Sequence, residues 1–166
     1  MVNTTLERII IAAVSDNGVI GKNRTVPWNS KEDEIHFKET TINNAIIIGR
    51  KTFQYLGKPL EKRIHYVITS TPKKYKNTSN VFYFNSVYKA YQELRNKRIG
   101  KVFICGGERI YTSTIKYAEK MIITHMKFDV ENGDTFFPKF NRKFWKITKQ
   151  KKHEDFTIKY YSRKKI

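Results

Sequence analysis

Short runs of apolar residues recur along the chain, and their spacing predicts strands separated by helices. Five early strands are predicted at residues 8–15, 45–48, 64–70, 81–84 and 101–105, and three later ones at 121–127, 143–149 and 156–162. Most of these runs are rich in β-branched and aromatic residues and nearly continuous in apolar residues. That pattern is typical of strands buried on both faces of a sheet.

The gaps between the early strands are long enough to hold helices. Helices are predicted at residues 30–42, 51–56, 86–96 and 107–118, with Ser30 and Ser86 as N-caps. The alternation predicts one α/β domain over residues 1–166, with about four helices around a mostly parallel sheet of about eight strands. The last two strands have no helix between them and predict an antiparallel hairpin at the sheet edge. Polar loops are expected at residues 73–80 and 129–136.

The composition narrows the class of protein. With 166 residues, of which 39% are hydrophobic, the chain can form one core but not two full domains. The single cysteine excludes a disulfide scaffold, and the four histidines show no metal-ligand spacing, so no metal site is expected. The longest apolar run, residues 9–14, is far shorter than the roughly 18 residues that span a bilayer. We therefore expect a cytoplasmic protein without a membrane segment.

The charge balance favours anionic ligands. The chain has 33 Lys and Arg against 15 Asp and Glu, a net charge of +18. Lysine-rich runs at residues 73–76, 149–152 and 163–165 raise the alternative of a nucleic-acid-binding protein. However, such runs are usually solvated surfaces, and the sequence has neither a zinc-finger nor an RNA-recognition signature. A basic field would also attract small anionic ligands.

Glycines, cations and hydroxyls follow three of the predicted strands, where ligands bind in sheets of this type. Gly106 and Gly107 follow strand 101–105, so the backbone there can approach a ligand and the next helix can offer N–H groups to phosphate. The ends of two neighbouring strands carry Arg50, Lys51, Thr52, Thr69 and Ser70. This cluster would suit a phosphomonoester, although each loop alone could be an ordinary solvated turn. The dinucleotide pattern G-x-G-x-x-G is absent, so a dinucleotide would have to bind in another way.

The first predicted helix places an acid beside an aromatic residue. Asp33, Phe37 and either Thr40 or Thr41 fall on one stripe of the helix. A carboxylate that faces an apolar pocket needs a donor, which suggests a cationic or amidine-like ligand edge. Alternatively, the acids of the first turn only stabilise the helix dipole. Further along, Arg63 ends a proline-containing loop and could bind a carboxylate through two hydrogen bonds.

Nine short motifs occur in one order along nearly the whole chain. They are Ile11-Ala12-Ala13, Gly18-Val19-Ile20-Gly21, Pro27-Trp28, Asp33-x-x-x-Phe37-Lys38-x-x-Thr41, Gly49-Arg50-Lys51-Thr52-Phe53, Leu60-x-x-Arg63, Gly106-Gly107-x-Arg109-Ile110-Tyr111, Ile123-Thr124-His125 and Gly133-Asp134-Thr135-x-Phe137-Pro138. In this order and spacing they resemble the dihydrofolate reductase family. The resemblance implies hydride transfer from NADPH to 7,8-dihydrofolate, which gives the tetrahydrofolate of one-carbon metabolism. Antifolate inhibitors would bind the same site, and the protein is expected to be a monomer.

The resemblance also implies roles for substrate-site residues. Asp33 would bond the amino-amidine edge of the pterin and bias the ring electrostatically, while a water held near Trp28 delivers the proton. Arg63 would bind the α-carboxylate of the glutamate. The implied catalytic residues are Asp33, Thr124, Trp28 and Tyr111. The implied substrate contacts are Ile11, Ala12, Asp33, Glu34, Phe37, Leu56, Lys58, Leu60, Arg63, Cys105 and Thr124.

A second group would bind NADPH. Residues 21–28 match a mobile loop that closes over the nicotinamide. The implied contacts from the first strand and this loop are Ala13, Val19, Ile20, Gly21, Lys22, Asn23, Arg24 and Thr25. Those around the phosphates and nicotinamide are Gly49, Arg50, Lys51, Thr52, Ile68, Thr69, Ser70, Cys105, Gly106, Gly107, Glu108, Arg109, Ile110, Tyr111 and Ser113.

Two residues depart from the family pattern. Glu34 stands where an apolar residue usually faces the benzoyl group, and Glu108 stands where a third small residue is common. With a polar residue at position 34 and the motif Gly49-Arg50-Lys51-Thr52-Phe53, the sequence resembles the transferable trimethoprim-insensitive bacterial branch of the family, so reduced trimethoprim affinity is expected. A pyrimidine reductase of the riboflavin pathway, on the same fold, remains an alternative, although Asp33 and Arg63 favour the folate enzyme.

Overall fold

The computed structural model describes residues 5–165, and within this range it contains ten strands and four helices. The strands are β1 Glu7–Val14, β2 Val19–Gly21, β3 Ala45–Gly49, β4 Ile64–Ile68, β5 Val81–Phe84, β6 Lys101–Ile104, β7 Lys120–Met126, β8 Thr135–Phe136, β9 Trp145–Lys152 and β10 Phe156–Arg163. The helices are α1 Lys31–Thr41, α2 Arg50–Tyr55, α3 Val87–Asn96 and α4 Glu108–Thr114.

Eight of these strands form one sheet in the order β5-β4-β3-β6-β1-β7-β10-β9. The pairs from β5 to β7 are all parallel, whereas β10 is antiparallel to β7 and to β9. The predicted α/β class, the mostly parallel sheet and the C-terminal hairpin are confirmed. Because β6 returns to lie between β3 and β1, the strand order reverses there, and ligands bind at such a reversal beyond the carboxyl ends of the strands.

The core lies on both faces of the sheet, as the apolar runs predict. Ile10, Ile46 and Ile47 have 0% exposed surface. On one face, the cluster around Ile10 packs against Leu94 of α3 and Tyr111 of α4. On the other face, Ile9, Ile11, Ile46 and Phe103 pack under Phe37 of α1. Alternate residues of β1 therefore belong to two separate hydrophobic clusters, one on each face of the sheet.

The helix starts agree with the predicted caps. The Ser30 hydroxyl accepts a hydrogen bond from the Asp33 N–H at 3.3 Å, and the Ser86 hydroxyl accepts one from the Lys89 N–H at 3.2 Å. Each satisfies one backbone donor that the first turn leaves free.

Most predicted boundaries differ from the observed ones by one or two residues, as where β4 ends at Ile68 instead of residue 70, and three differ by more. The polar loop at 129–136 contains β8, which pairs with β2 in a small second sheet, and strands of two and three residues are too short to show a period. Helix α4 ends at Thr114 instead of residue 118, because the Tyr117 N–H bonds the Thr114 carbonyl and tightens the last turn.

The third difference is in β9. It starts at Trp145 instead of residue 143, because the Asn141 side chain accepts from the Lys143 N–H and begins a single 3₁₀ turn. It continues to Lys152 although its later residues are polar, because β9 is the edge strand and is exposed there.

None of the helices among residues 5–165 is long and apolar enough to cross a membrane.

Candidate active site

Many of the predicted site residues lie around the carboxyl ends of the parallel strands. Ala13 of β1 lies opposite Thr124 of β7 in the sheet register, and α1 brings Asp33 across these strand ends. The ends of β3 and β6 are joined by a hydrogen bond from the Gly49 N–H to the Gly106 carbonyl at 2.8 Å. One edge of the sheet thus carries an acid on one side and a glycine pair on the other.

Asp33 is a half-buried carboxyl whose charge is only partly compensated. Burial raises its pKa, and the Thr124 hydroxyl and the nearby His36 oppose that rise. Within the described chain, no Lys or Arg lies within ion-pair distance of Asp33. Such a carboxylate has acceptor capacity free for a ligand that brings N–H donors.

Apolar side chains line the space next to Asp33. Ile11, Phe37, Leu60 and Cys105 belong to one cluster, with Ile11 4% exposed. Leu56 is 39% exposed, consistent with a place at a rim. Ala12, in contrast, packs its methyl group into the cluster on the other face of the sheet. Its predicted substrate contact can therefore involve only its backbone.

Tyr111 is buried and Cys105 is half-buried, and both side chains are neutral. The Tyr111 hydroxyl donates to the Ile11 carbonyl at 2.7 Å, and burial raises its pKa well above the ordinary value. Burial also raises the pKa of the Cys105 thiol. Neither group is ionised near neutral pH, so neither is suited to act as a base or a nucleophile. They are suited to shape the site.

The glycine pair allows close backbone approach. Gly106 has φ +100°, and a Cβ there would lie 3.0 Å from the Tyr111 ring. A Cβ at Gly107 would lie 3.0 Å from the Thr52 hydroxyl oxygen. The peptide bond between the two glycines is cis. Side chains at these two positions would occupy the space between α2, α4 and the strand ends.

Cations and free N–H groups surround the glycine pair. Neither α2 nor α4 has a side-chain N-cap in the described structure, so their first-turn N–H groups remain free for an anion. Arg50 donates to the Gln54 side chain at 2.7 Å, and neither it nor the exposed Lys51 forms an ion pair among residues 5–165. Thr69, at the end of β4, is buried. These groups can bind a phosphate.

Arg63 is a buried cation at the far end of the apolar wall. The residue is 5% exposed, and its side chain donates to the Glu61 carbonyl at 2.9 Å and to the Thr41 hydroxyl oxygen at 3.3 Å. Both partners are neutral, and no carboxylate pairs with Arg63 in the part of the chain that the structure describes. A carboxylate on a ligand would supply the missing charge.

The loop that follows β2 makes a tight turn beside β8. Two backbone hydrogen bonds between Lys22 and Thr25, of 2.9 and 3.0 Å, close the turn, and Asn23 and Arg24 have φ values of 52° and 64°. The Asn23 N–H donates to the Asp134 carboxylate at 2.7 Å. The loop is thus attached to the segment before β8.

The other predicted residues of this region differ in what they offer a ligand. Val19 is 1% exposed and packs in the core, so it can contact a ligand only through its backbone. Trp28 is half-buried and meets the Phe128 ring edge-on at 5.8 Å. On α4, Arg109 and Ser113 are exposed, and the Ser113 hydroxyl donates to the Ile110 carbonyl at 3.2 Å. Lys58 is also exposed.

Sequence reasoning missed three contacts. The Glu108 carboxylate accepts from the Phe136 N–H of β8 at 3.1 Å, Asp134 accepts from the loop, and the Leu60 N–H donates to the His65 ring at 3.0 Å. Asp134 lies inside a recognised motif and could have been found there. No local pattern in the sequence predicts the hydrogen bond between Glu108 and Phe136. For His65 the sequence predicts a place in a strand but no hydrogen bond to Leu60.

A cavity of about 700 Å³ lies at the opposite end of the strands. Its lining comes largely from the starts of β1, β3, β4 and β6 and includes Glu7, Asn43, Asn44, Lys62, Tyr66 and Lys101. Its half-buried carboxyl, Glu7, pairs with Lys120, and its lining has no glycine pair, so cavity size alone would not locate the candidate site. A smaller cavity of about 220 Å³ lies at the end of α2, beside Lys58.

Comparisons with known proteins agree with this geometry. The family model described as dihydrofolate reductase matches residues 8–164. The chain is 39% identical to a dihydrofolate reductase of Buchnera aphidicola subsp. Baizongia pistaciae, over 95% of this chain and 94% of that protein. It is 37% identical to one from Staphylococcus haemolyticus, over 82% of this chain and 80% of that protein.

A solved structure gives the same result. Dihydrofolate reductase from Enterococcus faecalis, complexed with NADP(H) and RAB-propyl, superimposes with a TM-score of 0.85 at 29% identity. The match covers 96% of this chain and 97% of that one. Since the family model spans nearly the whole chain and the fold and site residues fit it, this protein belongs to the dihydrofolate reductase family.

Proposed function

We propose that this protein reduces 7,8-dihydrofolate to 5,6,7,8-tetrahydrofolate with NADPH as the reductant. The observation that carries the proposal is the half-buried carboxyl of Asp33, which pairs with no Lys or Arg among residues 5–165 and lies across the strand ends from the glycine pair and Tyr111. Membership of the family supports the reaction, and the Enterococcus faecalis relative is complexed with NADP(H).

Asp33 orients and polarises the pterin. Its carboxylate accepts hydrogen bonds from the amino-amidine edge of the ring, and the Thr124 hydroxyl supports the same edge. A negative charge there stabilises positive charge that develops on the ring as it takes up a proton. Because the carboxylate lies away from the atom that is protonated, a water near Trp28 delivers that proton.

The remaining substrate contacts position the rest of the molecule. Ile11, Phe37, Leu56 and Leu60 form the apolar walls for the pterin and benzoyl rings, and Arg63 binds the α-carboxylate of the glutamate. The free acceptor at Asp33 and the free cation at Arg63 then hold the two ends of one elongated ligand.

The residues around the glycine pair fit NADPH. The backbone at Gly106 and Gly107, whose absent side chains leave room, would hold the pyrophosphate, and Arg50, Lys51 and Thr69 would hold the 2′-phosphate. When bound, NADPH supplies the hydride that reduces the pterin. Tyr111 and Cys105 remain neutral and limit the space at the end of β6, while the loop at 21–28 excludes water.

The test is steady-state oxidation of NADPH by dihydrofolate, followed by absorbance, for the wild type and the Asp33→Asn variant. The variant keeps the size of the side chain but loses the charge, and we expect kcat/KM to fall by about 10²- to 10³-fold. Glu39→Gln, which changes an exposed acid of the same helix, is the matched control and should keep full activity.

A folded wild type that binds NADPH but does not turn over dihydrofolate would contradict the proposal. Turnover of a pyrimidine substrate of the riboflavin pathway by that protein would favour the reductase of that pathway. A cytoplasmic location and a monomeric state belong to the same proposal. The lone cysteine supports the location, and the hydrophobic clusters that cover both faces of one sheet support a monomer.

A further inference from the structure

His65 is a fully buried histidine whose two ring nitrogens both have partners. It is 0% exposed, and the Leu60 backbone N–H donates to its Nε2 at 3.0 Å. Its Nδ1 lies 3.1 Å from the Asn80 carbonyl oxygen. Because a carbonyl can only accept, Nδ1 carries the proton and Nε2 is the acceptor. Both contacts therefore require the same neutral tautomer.

The segment that His65 contacts is otherwise poorly anchored. Residues 57–59 and 61–62 are exposed, whereas Leu60 is half-buried against the apolar wall. A further backbone bond runs from the Asn43 N–H to the Lys62 carbonyl at 2.7 Å. The bond from Leu60 to His65 thus fixes the middle of an exposed segment to the sheet.

The same bond influences Arg63. The guanidinium is oriented by the Glu61 carbonyl at 2.9 Å, and this carbonyl belongs to the residue directly after Leu60. A shift of the Leu60 amide would move the Glu61 carbonyl and, with it, the direction of Arg63. The His65 ring is itself held in place by Phe53, with ring centroids 5.4 Å apart.

We propose that His65 is a positioning residue for substrate binding, which in its neutral form holds segment 57–63 so that Leu60 and Arg63 meet the benzoyl-glutamate part of the substrate. This inference rests on the proposed function, because it deepens the role assigned there to Arg63. It predicts that the contribution of the glutamate to binding depends on His65 and on pH.

Protonation of His65 removes the contact with Leu60, because Nε2 then becomes a donor that faces another N–H. Burial lowers the pKa of His65 below 6.5, the positive charge of Arg63 acts in the same direction, and the backbone carbonyls of Asn80 and Arg63 oppose the shift. The groups that face the ring from α2 and from the start of β5, Phe53 and Asn80, carry no charge. Release therefore requires a pH below 6.5.

The experiment compares two substrates on the intact enzyme. One is 7,8-dihydrofolate, and the other is 7,8-dihydropteroate, which has no glutamate for Arg63 to bind. KM and kcat for both are measured from neutral to acidic pH in the wild type, His65→Leu and His65→Gln. The ratio of the two KM values, dihydrofolate to dihydropteroate, is the readout, because effects on Asp33 or on general folding act on both substrates alike.

We expect the wild-type KM ratio to rise as the pH falls below 6.5. His65→Leu, which has no acceptor, should raise the ratio about fivefold at neutral pH, the effect of one lost hydrogen bond. In His65→Gln the amide oxygen can accept from Leu60 and cannot titrate, so the ratio should stay near the wild-type value and be flat with pH. kcat and the KM for NADPH should change by less than about twofold.

Two control variants separate the role of His65 from that of Arg63 and from a general effect of changing a histidine. Arg63→Leu should raise the KM for dihydrofolate alone, and its failure to do so would count against the proposed role of Arg63 instead of that of His65. His125→Gln changes a half-buried histidine that bonds Tyr161 at 2.9 Å, away from segment 57–63, and should leave the ratio unchanged.

A wild-type ratio that does not change with pH, or equal losses for both substrates in His65→Leu, would overturn the inference. If His65→Leu does not fold, the comparison between the wild type and His65→Gln of how the KM ratio changes with pH is sufficient to test the inference. A wild type that reduces neither substrate would instead contradict the proposed function.

Discussion

The Asp33 carboxyl lies where an ionised group is disfavoured. Its pKa is raised by burial above 3.8, so the folded state binds a proton at Asp33 more readily than the unfolded state does. Above both pKa values, the buried charge lowers the free energy of unfolding. The protein thus keeps a destabilising charge at the position where the pterin would bind.

Replacement of Asp33 by asparagine should therefore make the protein more stable while it lowers kcat/KM. At pH 7 we expect a higher Tm for Asp33→Asn than for the wild type, measured by thermal unfolding without ligands. The difference should disappear below pH 3.8, where the wild-type carboxyl is protonated in both states. A Tm at pH 7 below that of the wild type would show that Asp33 makes a net stabilising contact.

Glu34 is the residue that we expect to lower trimethoprim affinity. It is exposed on α1, directly after Asp33 and three residues before Phe37, so an apolar inhibitor ring that packs on this wall would take water from its carboxylate. Glu34→Leu should lower the inhibition constant of trimethoprim about tenfold, which corresponds to about 1.4 kcal/mol. Glu39→Leu, an equally exposed change on the same helix, should have no effect. Nanomolar inhibition of the wild type would refute the expectation.

At the scale of elements, Glu108 joins two parts of the site that lie far apart in the chain. Its carboxylate at the start of α4 accepts from the Phe136 N–H in β8, and β8 pairs with β2, which leads directly into the loop at 21–28. The helix beside the glycine pair is therefore coupled to the base of the loop that would cover the nicotinamide.

Removal of this link should loosen the base of the loop. We expect Glu108→Ala to speed amide hydrogen exchange at Phe136 and in β2 and to raise the KM for NADPH by about fivefold. Glu108→Gln keeps an acceptor oxygen and should behave like the wild type in both measurements. Unchanged exchange at Phe136 in Glu108→Ala would contradict the coupling.

The elements that the sequence predicts well are those with a buried face. The strand Val81–Phe84 has the predicted bounds, and the N-caps Ser30 and Ser86 are correct, because apolar runs and local caps are properties of short segments. β2 and β8 could not be predicted, since they are stabilised by pairing with each other and not by a periodic pattern.

The same distinction applies to the candidate site. The geometry brings Asp33 and the glycine pair to the carboxyl ends of the strands, whereas Arg63 directly precedes β4 and lies at the far end of the apolar wall, beside the end of α1. Their assigned roles remain predictions. The tautomer of His65 and the hydrogen bond from the Phe136 N–H to Glu108 depend on tertiary contacts, and the second joins residues 28 positions apart. The chain shows no local signal for either.

At the scale of the molecule, three histidines are buried or half-buried, and burial favours their neutral form. Burial lowers the pKa values of His36 and His65 and lowers that of His125 to about 4. Since an unfolded histidine titrates near 6.5, the unfolded state binds more protons below that pH, and stability falls as the pH falls.

We therefore expect the free energy of unfolding to decrease between pH 7 and pH 5, by about 1 kcal/mol from His125 alone because solvent screens this half-buried ring. Urea titrations at the two pH values measure the change. In His125→Phe, which cannot titrate, the decrease should be correspondingly smaller. An equal decrease in both proteins would show that groups other than His125 cause the loss of stability at low pH.

The two outer strands of the sheet differ in how they are kept from pairing with another chain. β5 is four residues long, and the Asn77 side chain occupies the Tyr83 N–H at 3.0 Å. β9 is eight residues long and exposed along almost its whole length, but half of its residues are lysines, namely Lys146, Lys149, Lys151 and Lys152. Charged side chains on an edge strand oppose the addition of a further strand. Part of the large positive charge therefore serves to prevent aggregation, and neutralising these lysines by acetylation would open the edge to self-association.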